Sequence, residues 1–316
     1  MAFKPALITG VNGFVGHYLA RQLSSHGREV IGIDIHEKCM TEGIRYLQAD
    51  ICDSNGIKNI FNTVKPREIY HLAGISSPQE FNYKPYGSFQ INLMGTISLF
   101  EALKDLDYNP IMLSVGSAKQ YQSDEYSGKL LENSDLAPNS YYGVSKNAVE
   151  MIAQFYISQH DLDIRLTRSF NHTGPGQSTQ FVCSDWANQI AHIELKKTPP
   201  EILIGNVNAI MDFSDVRDIV EAYRLIVERG KKGEVYNVCS GKGTSLQYIL
   251  DYLMAKSTSA ISISIQKEKV EPHASNKELI GDSSKIIKEI GWCPKISIEK
   301  TLDDLYNWWL EKLNNS

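Results

Sequence analysis

Cysteine is scarce in this chain of 316 residues, and its five copies (Cys39, Cys52, Cys183, Cys239 and Cys293) are scattered without paired spacing. That excludes a disulfide-stapled or zinc-ribbon scaffold and marks them as reduced packing residues. Long apolar runs are missing too, since none approaches the ~20 residues that span a bilayer. No basic block or aromatic-interleaved basic stripe occurs, and a formal net charge of -5 argues against a nucleic-acid partner. A secretory leader needs a charged start, an apolar stretch and a small-residue cleavage site. Met1 to Pro5 runs directly into an apolar strand instead, so a cytoplasmic protein is expected. Nor do His17, His26, His160 and His192 show metal-ligand spacing with one another or with carboxylates, and no metal site is expected.

What the chain does have is apolar content, 42% against 22% charged residues, enough for a full α/β domain plus a smaller one. Through the first half, strand and helix signals alternate in the pattern of a parallel sheet covered on both faces. Strands are predicted at 5–9, 29–34, 45–48, 68–72, 110–115 and 163–169, and helices at 14–25, 54–63, 89–105 and 141–159. After residue 170 the rhythm changes to a polar loop over 171–180, a helix over 182–196 and a Pro199-Pro200 stop. A strand end and a helix follow from Asp212 to Arg229, and Val235-Tyr236-Asn237-Val238 reads as a strand that rejoins the main sheet. The tail carries a period-two strand with Ile261, Ile263 and Ile265 on one face, then helices near 282–290 and 298–313. The expected fold is α/β. It comprises a Rossmann-type doubly wound parallel sheet over 1–170, with 212–240 returning to it, and a smaller interwoven C-terminal substrate domain from 171–211 and 241–316. The helices near 89–105 and 141–159 are apolar on more than one face, which points either to a homodimer through them or to loops covering the second face.

In the run Ala6-Leu7-Ile8-Thr9-Gly10-Val11-Asn12-Gly13-Phe14-Val15-Gly16, a short apolar strand empties into a glycine-spaced turn and then a helix. Such glycines permit a tight turn and close approach of backbone to a pyrophosphate, while the new helix offers unpaired N–H groups to the anion. A second strand ends in Asp34, at the distance where a carboxylate accepts the hydroxyls of an adenosine ribose and repels a 2′-phosphate. NAD(H) is therefore favoured, with NADP(H) left open because His36 and Lys38 lie just beyond.

Tyr142 and Lys146 fall at i and i+4, one above the other on a helix. Tyr252 and Lys256 repeat that spacing, but the apolar face of their helix leaves them outside. The first pair opens a helix after a polar loop and follows a strand ending in Gly116-Ser117, where a Rossmann sheet presents its ligand side. The chemistry that fits is hydride transfer between a nicotinamide and a carbinol or ketone. It requires a proton moved at oxygen, and a nearby ammonium lowers the pKa of a phenol that is otherwise near 10. Ser117 can donate a hydrogen bond to the same oxygen. His71 reads as a satisfied structural residue, since the tyrosine already fills the acid–base role.

Taken together, Gly10-x-x-Gly13-x-x-Gly16, Asp50-Ile51, His71-Leu72-Ala73-Gly74, Asn92, Ser117, Tyr142-Gly143-Val144-Ser145-Lys146 and Gly291-Trp292-x-Pro294 resemble an extended short-chain dehydrogenase/reductase of the NAD-dependent epimerase/dehydratase kind. Arg168-Ser169-Phe170-Asn171-His172-Thr173-Gly174-Pro175-Gly176-Gln177 and Asp212-Phe213-Ser214-Asp215-Val216-Arg217-Asp218 resemble its GDP-sugar branch, nearest to the GDP-4-keto-6-deoxy-mannose reductases that form GDP-rhamnose. The resemblance implies that Ser117, Tyr142 and Lys146 are catalytic. For the cofactor it implies Gly10, Asn12, Gly13, Phe14, Val15, Gly16, Asp50, Ile51, Leu72, Ala73, Asn92, Tyr142 and Lys146, to which the spacing adds Asp34, a departure from the reductases, which often lack an acid there. For a nucleotide-sugar substrate it implies Ser76, Ser117, Asn171, His172, Val182, Asn206 and Arg217.

Departures from the pattern bear on the reaction. Related dehydratases carry an acid after the serine or threonine, whereas here the run is Ser117-Ala118-Lys119-Gln120-Tyr121, and an ammonium cannot act as that base. Met211 stands where an arginine usually meets the diphosphate, and Glu271-Pro272-His273-Ala274 replaces a nucleotide-holding pattern. Three readings follow: reduction of a nucleotide-linked 4-keto-6-deoxy sugar; 4-epimerisation or 4,6-dehydration with tightly held NAD, toward which Asp34 points; and a cofactor-sensing binding protein without catalysis.

Overall fold

The computed structural model describes residues 5–122, 128–266 and 278–315. In chain order the first half contains β1 (Ala6–Thr9), α1 (Phe14–Ser25), β2 (Val30–Asp34), β3 (Arg45–Gln48), α2 (Ser54–Val64) and β4 (Glu68–His71). Two short helices follow, α3 (Pro78–Tyr83) and α4 (Pro85–Phe89), then a π-helical turn (Gln90–Met94), α5 (Gly95–Lys104) and β5 (Ile111–Ser117). A 3-10 turn (Ala118–Gln120), β6 (Lys129–Leu130), α6 (Tyr141–His160) and β7 (Ile164–Ser169) complete it. Beyond lie β8 (Asn171–Thr173), α7 (Val182–Glu194), β9 (Glu201–Ile204), β10 (Ile210–Asp215), α8 (Val216–Arg229) and β11 (Val235–Val238). The tail adds β12 (Gly243–Ser245), α9 (Leu246–Met254), β13 (Ser262–Ile265), β14 (Glu278–Gly281), α10 (Ser284–Ile290) and α11 (Ile298–Asn314).

The main sheet has seven strands in the order β11-β7-β5-β4-β1-β2-β3, every pair parallel. Its order reverses between β1 and β4, which is where a doubly wound sheet opens a crevice at the carboxyl ends of its strands. Full burial of Ala6–Thr9, Glu68–His71 and Ile164–Ser169 follows from helices on both faces. One face is covered by α1, α8 and α10, with Leu19, Leu23, Ile219, Tyr223, Ile286 and Trp292 in a single cluster. The other is covered by α2, α5 and α6 around Phe61, Leu99, Phe100 and Ala153. Local chemistry sets the boundaries: Asp53 and Ser140 cap α2 and α6 by accepting from Gly56 N and Gly143 N, while Gly27 takes a φ of 74° after α1.

A smaller layer holds a five-stranded sheet, β12-β10-β14-β6 with β8 beside β10, and the parallel pair β13-β9. Trp186, Ile190, Leu250, Leu253, Leu305 and Trp309 on α7, α9 and α11 form its core. The buried Asp212 ties this layer together, accepting from Ser240 N, Ser240 Oγ, Gly241 N and Gly281 N. Although α10 and Trp292 lie in the stretch expected for the smaller domain, they pack against α8 and β11 of the main sheet. The tail strand forms at Ser262–Ile265, with Ile263 and Ile265 exposed on their shared face.

Candidate active site

Strand ends β1, β4 and β5, the start of α6 and the loop after β7 enclose a cleft of about 400 Å³. Among the expected site residues, Gly10, Gly13, Phe14, Val15, Gly16, Leu72, Ser76, Ser117, Tyr142, Lys146, Asn171, His172 and Val182 line it. The glycine turn is built for close approach. A Cβ at Gly10, where φ is 71°, would lie 2.8 Å from Ala73 N and Cα, and one at Gly16 would lie 2.3 Å from Gly10 O. At Gly13 only Gly10 O, at 3.1 Å, comes near, so this side of the turn faces open space. A backbone cradle of that shape fits a dinucleotide pyrophosphate.

On α6, Gly143 lets the helix start press against the 3-10 turn, since a Cβ there would meet Lys119 O at 2.3 Å. That contact brings Tyr142 to Ser117, whose hydroxyl is hydrogen-bonded to the phenol. Burial raises the Tyr142 pKa and the Ser117 bond opposes the rise. Lys146 Nζ donates to Val115 O at 2.9 Å, and burial lowers its pKa to about 8. His71 sits beneath, within hydrogen-bond reach of Thr9 Oγ1 at 2.8 Å and Thr96 Oγ1 at 2.9 Å. Burial, with the Lys146 charge adding to it, pushes its pKa down to about 3, so it is a neutral structural group at physiological pH.

A family model for GDP-mannose 4,6 dehydratase matches residues 7–305. The chain belongs to this family of short-chain dehydrogenase/reductases. It is similar to the GDP-6-deoxy-D-mannose reductase of Pseudomonas aeruginosa, at 28% identity over 303 residues and 96% of each chain. It is also similar to the UDP-glucuronate 4-epimerase of Thermodesulfobacterium geofontis, at 26% identity over 97% of this chain and 96% of that one. A solved structure of RMD from P. aeruginosa complexed with NADPH matches with a TM-score of 0.84 at 26% identity, covering 98% of this chain and 99% of that one. The protein is thus an enzyme that acts on a nucleotide sugar with a nicotinamide cofactor. Among the described residues, no helix is long and apolar enough to cross a membrane.

Not every residue that the family resemblance nominated lines the cleft. Asp34 Oδ2 accepts from Asn12 N at 3.2 Å, and its Oδ1 lies 2.7 Å from His36 Nδ1. The Asn12 side chain in turn holds Lys38 O and Met40 N, so this pair fixes the segment after β2 to the glycine turn. Asp50 accepts from Cys52 N, while Ile51 packs where Gly95 leaves room on α5. Asn92, inside the π-helical turn, clasps Ile75 N and O, and so shapes the cleft wall from behind, as Ala73 does by packing on Gly10. Arg217 and Asn206 also lie outside the cleft lining: Arg217 makes a bidentate pair with Asp215 and reaches Asp304 at 2.8 Å, joining α8 to α11. Asn206 accepts from Asn208 N in the loop between β9 and β10.

In this dehydrogenase/reductase the outer cleft wall consists of Gln177, Gln180, Phe181, Met211, Phe213 and Leu279. Of these, Gln180, Phe181 and Leu279 were not named from the sequence, where a lone aromatic in a loop carries no periodic signal, and Gln177 and Phe213 stood there only inside longer motif runs. Lys119 also lines the cleft, next to Ser117. The pair Tyr252 and Lys256 is elsewhere, with both side chains on Asp303. The segment Glu271-Pro272-His273-Ala274 lies outside the described residues.

Proposed function

We propose that the chain reduces the 4-keto group of a nucleotide-linked 4-keto-6-deoxy sugar, a GDP-sugar first among candidates, with Tyr142 delivering the proton to the ketone oxygen. One observation carries this reading: among the described residues, no Asp or Glu lines the cleft. Loss of water from a hexose needs a base to remove a carbon-bound proton, and a cation, Lys119, occupies the turn beside Ser117. Reduction needs no such base. Held on the glycine turn, a nicotinamide dinucleotide supplies the hydride. Ser117 offers its O–H to the oxygen on which charge develops, and the buried phenol is kept in the protonated form that a reduction requires. Lys146, anchored on Val115 O and one helical turn beyond Tyr142 on α6, supplies the ammonium in this reading, and a cation near a phenol favours release of its proton.

NAD(H) is the preferred cofactor in this reading, because the Asp34 carboxylate at the end of β2 opposes a 2′-phosphate. The same residue favours the second reading, a 4-epimerase that keeps NAD through the cycle. We further infer a homodimer built on the helical stretches over 89–105 and 141–159, which expose Met94, Val144, Met151 (67%) and Phe155 (58%). The deciding experiment follows absorbance of the reduced nicotinamide on addition of 4-keto-6-deoxy sugars linked to GDP, CDP, UDP or dTDP. Oxidation is expected with one of them, and Tyr142→Phe should lower kcat by about 10²–10⁴-fold. No oxidation with any of the four overturns the reductase, and product formed without added reductant moves the assignment to the epimerase.

A further inference from the structure

We propose that Gln120 is a positioning residue for Ser117, holding it through a buried chain of hydrogen bonds anchored on the Glu150–Arg168 ion pair. Gln120 is fully buried and closes the 3-10 turn behind Ser117. Its Oε1 accepts from Ser117 N at 2.8 Å, and its Nε2 donates to Glu150 Oε2 at 2.7 Å. Gly116 makes this approach possible, since a Cβ there would fall 2.4 Å from Gln120 Oε1. Ser117 Oγ meanwhile accepts from Lys119 N, which leaves its single proton free to point at Tyr142. Both the backbone and the hydroxyl of Ser117 are therefore oriented by its own turn.

The far end of the chain is rigid. Glu150 lies two turns beyond Tyr142 and one beyond Lys146 on the same stripe of α6, so one helix carries the phenol, the ammonium and the carboxylate that fixes Gln120. Arg168 on β7 grips Glu150 with two bonds, Nε to Oε2 at 2.9 Å and Nη2 to Oε1 at 2.5 Å. Its remaining nitrogen donates to Tyr121 OH and to Glu132 O, and Tyr121 OH donates to Asn237 Oδ1 at 2.6 Å. A buried ion pair is a poor way to gain stability over an apolar pair of equal volume, and its best-attested use is to fix geometry. Here the geometry it fixes ends on the peptide N–H of Ser117.

Two substitutions test the assignment, which rests on the carbonyl reduction proposed above only in its turnover arm. Gln120→Glu puts a second carboxyl against Glu150. While the pair holds a proton it can make the bond that Nε2 made, and once that proton is lost the two carboxylates repel. The charged and titratable groups around the pair are Arg168 from β7, Tyr121 and Glu132, with Lys146 and Tyr142 further along α6. The kcat of Gln120→Glu is expected near wild type at the acid end of the pH profile and to fall roughly tenfold or more toward alkaline pH, with KM within about threefold. Gln120→Leu should stay down about 10²-fold at every pH. Thermal melts over the same range establish that each variant is folded, and Gln120→Asn, too short to bridge both partners, replaces Gln120→Leu if that protein is not.

The second arm needs no substrate. Tyrosine labelled with ¹³C at Cζ, with Tyr142→Phe to assign the resonance, should show Tyr142 titrating at higher pH in Gln120→Leu than in wild type. Wild-type enzyme inert toward every sugar nucleotide would sink the reductase reading while leaving this arm to decide the role of Gln120. Overturning results are a Gln120→Glu profile parallel to wild type, a Gln120→Leu enzyme with wild-type kcat, or an unmoved Tyr142 titration in folded Gln120→Leu.

Discussion

Replacing Gly13 and Gly16 by alanine, one at a time, separates two roles that the glycine turn combines. At Gly16 the new Cβ would lie 2.3 Å from Gly10 O, 2.8 Å from Val11 Cα and 2.9 Å from Val11 O. All three are backbone atoms, so no side-chain rotation relieves the contact, and α1 has to move away from the turn by about 1 Å in a close-packed setting. Alanine is favoured over glycine inside a helix by about 1 kcal/mol. Forcing a packed element to shift costs about 1–3 kcal/mol or more, so the collision wins. Urea unfolding should report a net loss of about 1–2 kcal/mol for Gly16→Ala. At Gly13 the only close atom is Gly10 O at 3.1 Å, and the backbone, at φ -70° and ψ 165°, suits any residue. Stability there should stay within about 0.5 kcal/mol of wild type. The added methyl nevertheless enters the open side of the cradle, where the backbone has to approach a pyrophosphate. Titration with NADH, read by protein fluorescence, is expected to give a Kd raised roughly tenfold, a loss of about 1.4 kcal/mol. A Gly13→Ala protein that binds NADH like wild type, or a Gly16→Ala protein that unfolds at the wild-type urea midpoint, refutes this reasoning.

Other expectations follow from charge and packing. Burial holds Lys146 at about 8 in the folded protein against 10.5 unfolded. The unfolded chain therefore binds the extra proton between those values, and stability rises with pH across the window. Lys146→Met should remove that slope and be more stable than wild type at pH 7 by about 1–3 kcal/mol, measured by urea unfolding at pH 7 and pH 10; identical slopes refute it. Arg217→Ala should lose about 1–2 kcal/mol through Asp215 and Asp304, after allowance for the partly exposed guanidinium, while KM for the sugar nucleotide changes less than about twofold. A large KM change would return Arg217 to the substrate site. Phe155→Glu or Met151→Glu should convert a wild-type dimer to monomer in sedimentation velocity, and a wild type already monomeric at micromolar concentration ends that proposal.

Apart from the expected 89–105 helix, which is divided among the end of α4, the π-helical turn and α5, the long elements through residue 170 lie within two residues of their expected bounds, and Gly27, Asp53 and Ser140 set helix ends by local chemistry. Short pieces were not legible. The helices α3 and α4 are six and five residues long and give no periodic pattern, and β6, β8 and β12 exist only through pairing with β14 or β10. The π-helical turn within the expected 89–105 helix surrounds Asn92, whose amide is engaged by Ile75, a contact that no local pattern announces. At the site, Tyr142, Lys146 and Ser117 could be placed from strand ends and helix spacing. The partners of Arg217, Asp215 and Asp304, could not be read from its motif, which gives a residue its address and not the groups that pair with its charge. Gln120 did leave a trace, since Ser117-x-x-Gln120 has the spacing of a capping box, which the turn indeed forms.

The return of α10 and Trp292 to the main sheet has a temporal side. Ala6 and Ile8 share one cluster with Ile286, Ile290 and Trp292, and Trp292 Nε1 donates to Asp218 O. During synthesis, then, the first strand leaves the ribosome long before the residues that seal its layer, and α1 and α8 carry uncovered apolar surface until the final stretch emerges. Contacts of such sequence separation slow folding, because the loop they close has to be ordered before they reward it. A chain cut short near residue 280 would keep every cofactor-facing glycine and still display an open hydrophobic layer to other nascent chains and to chaperones.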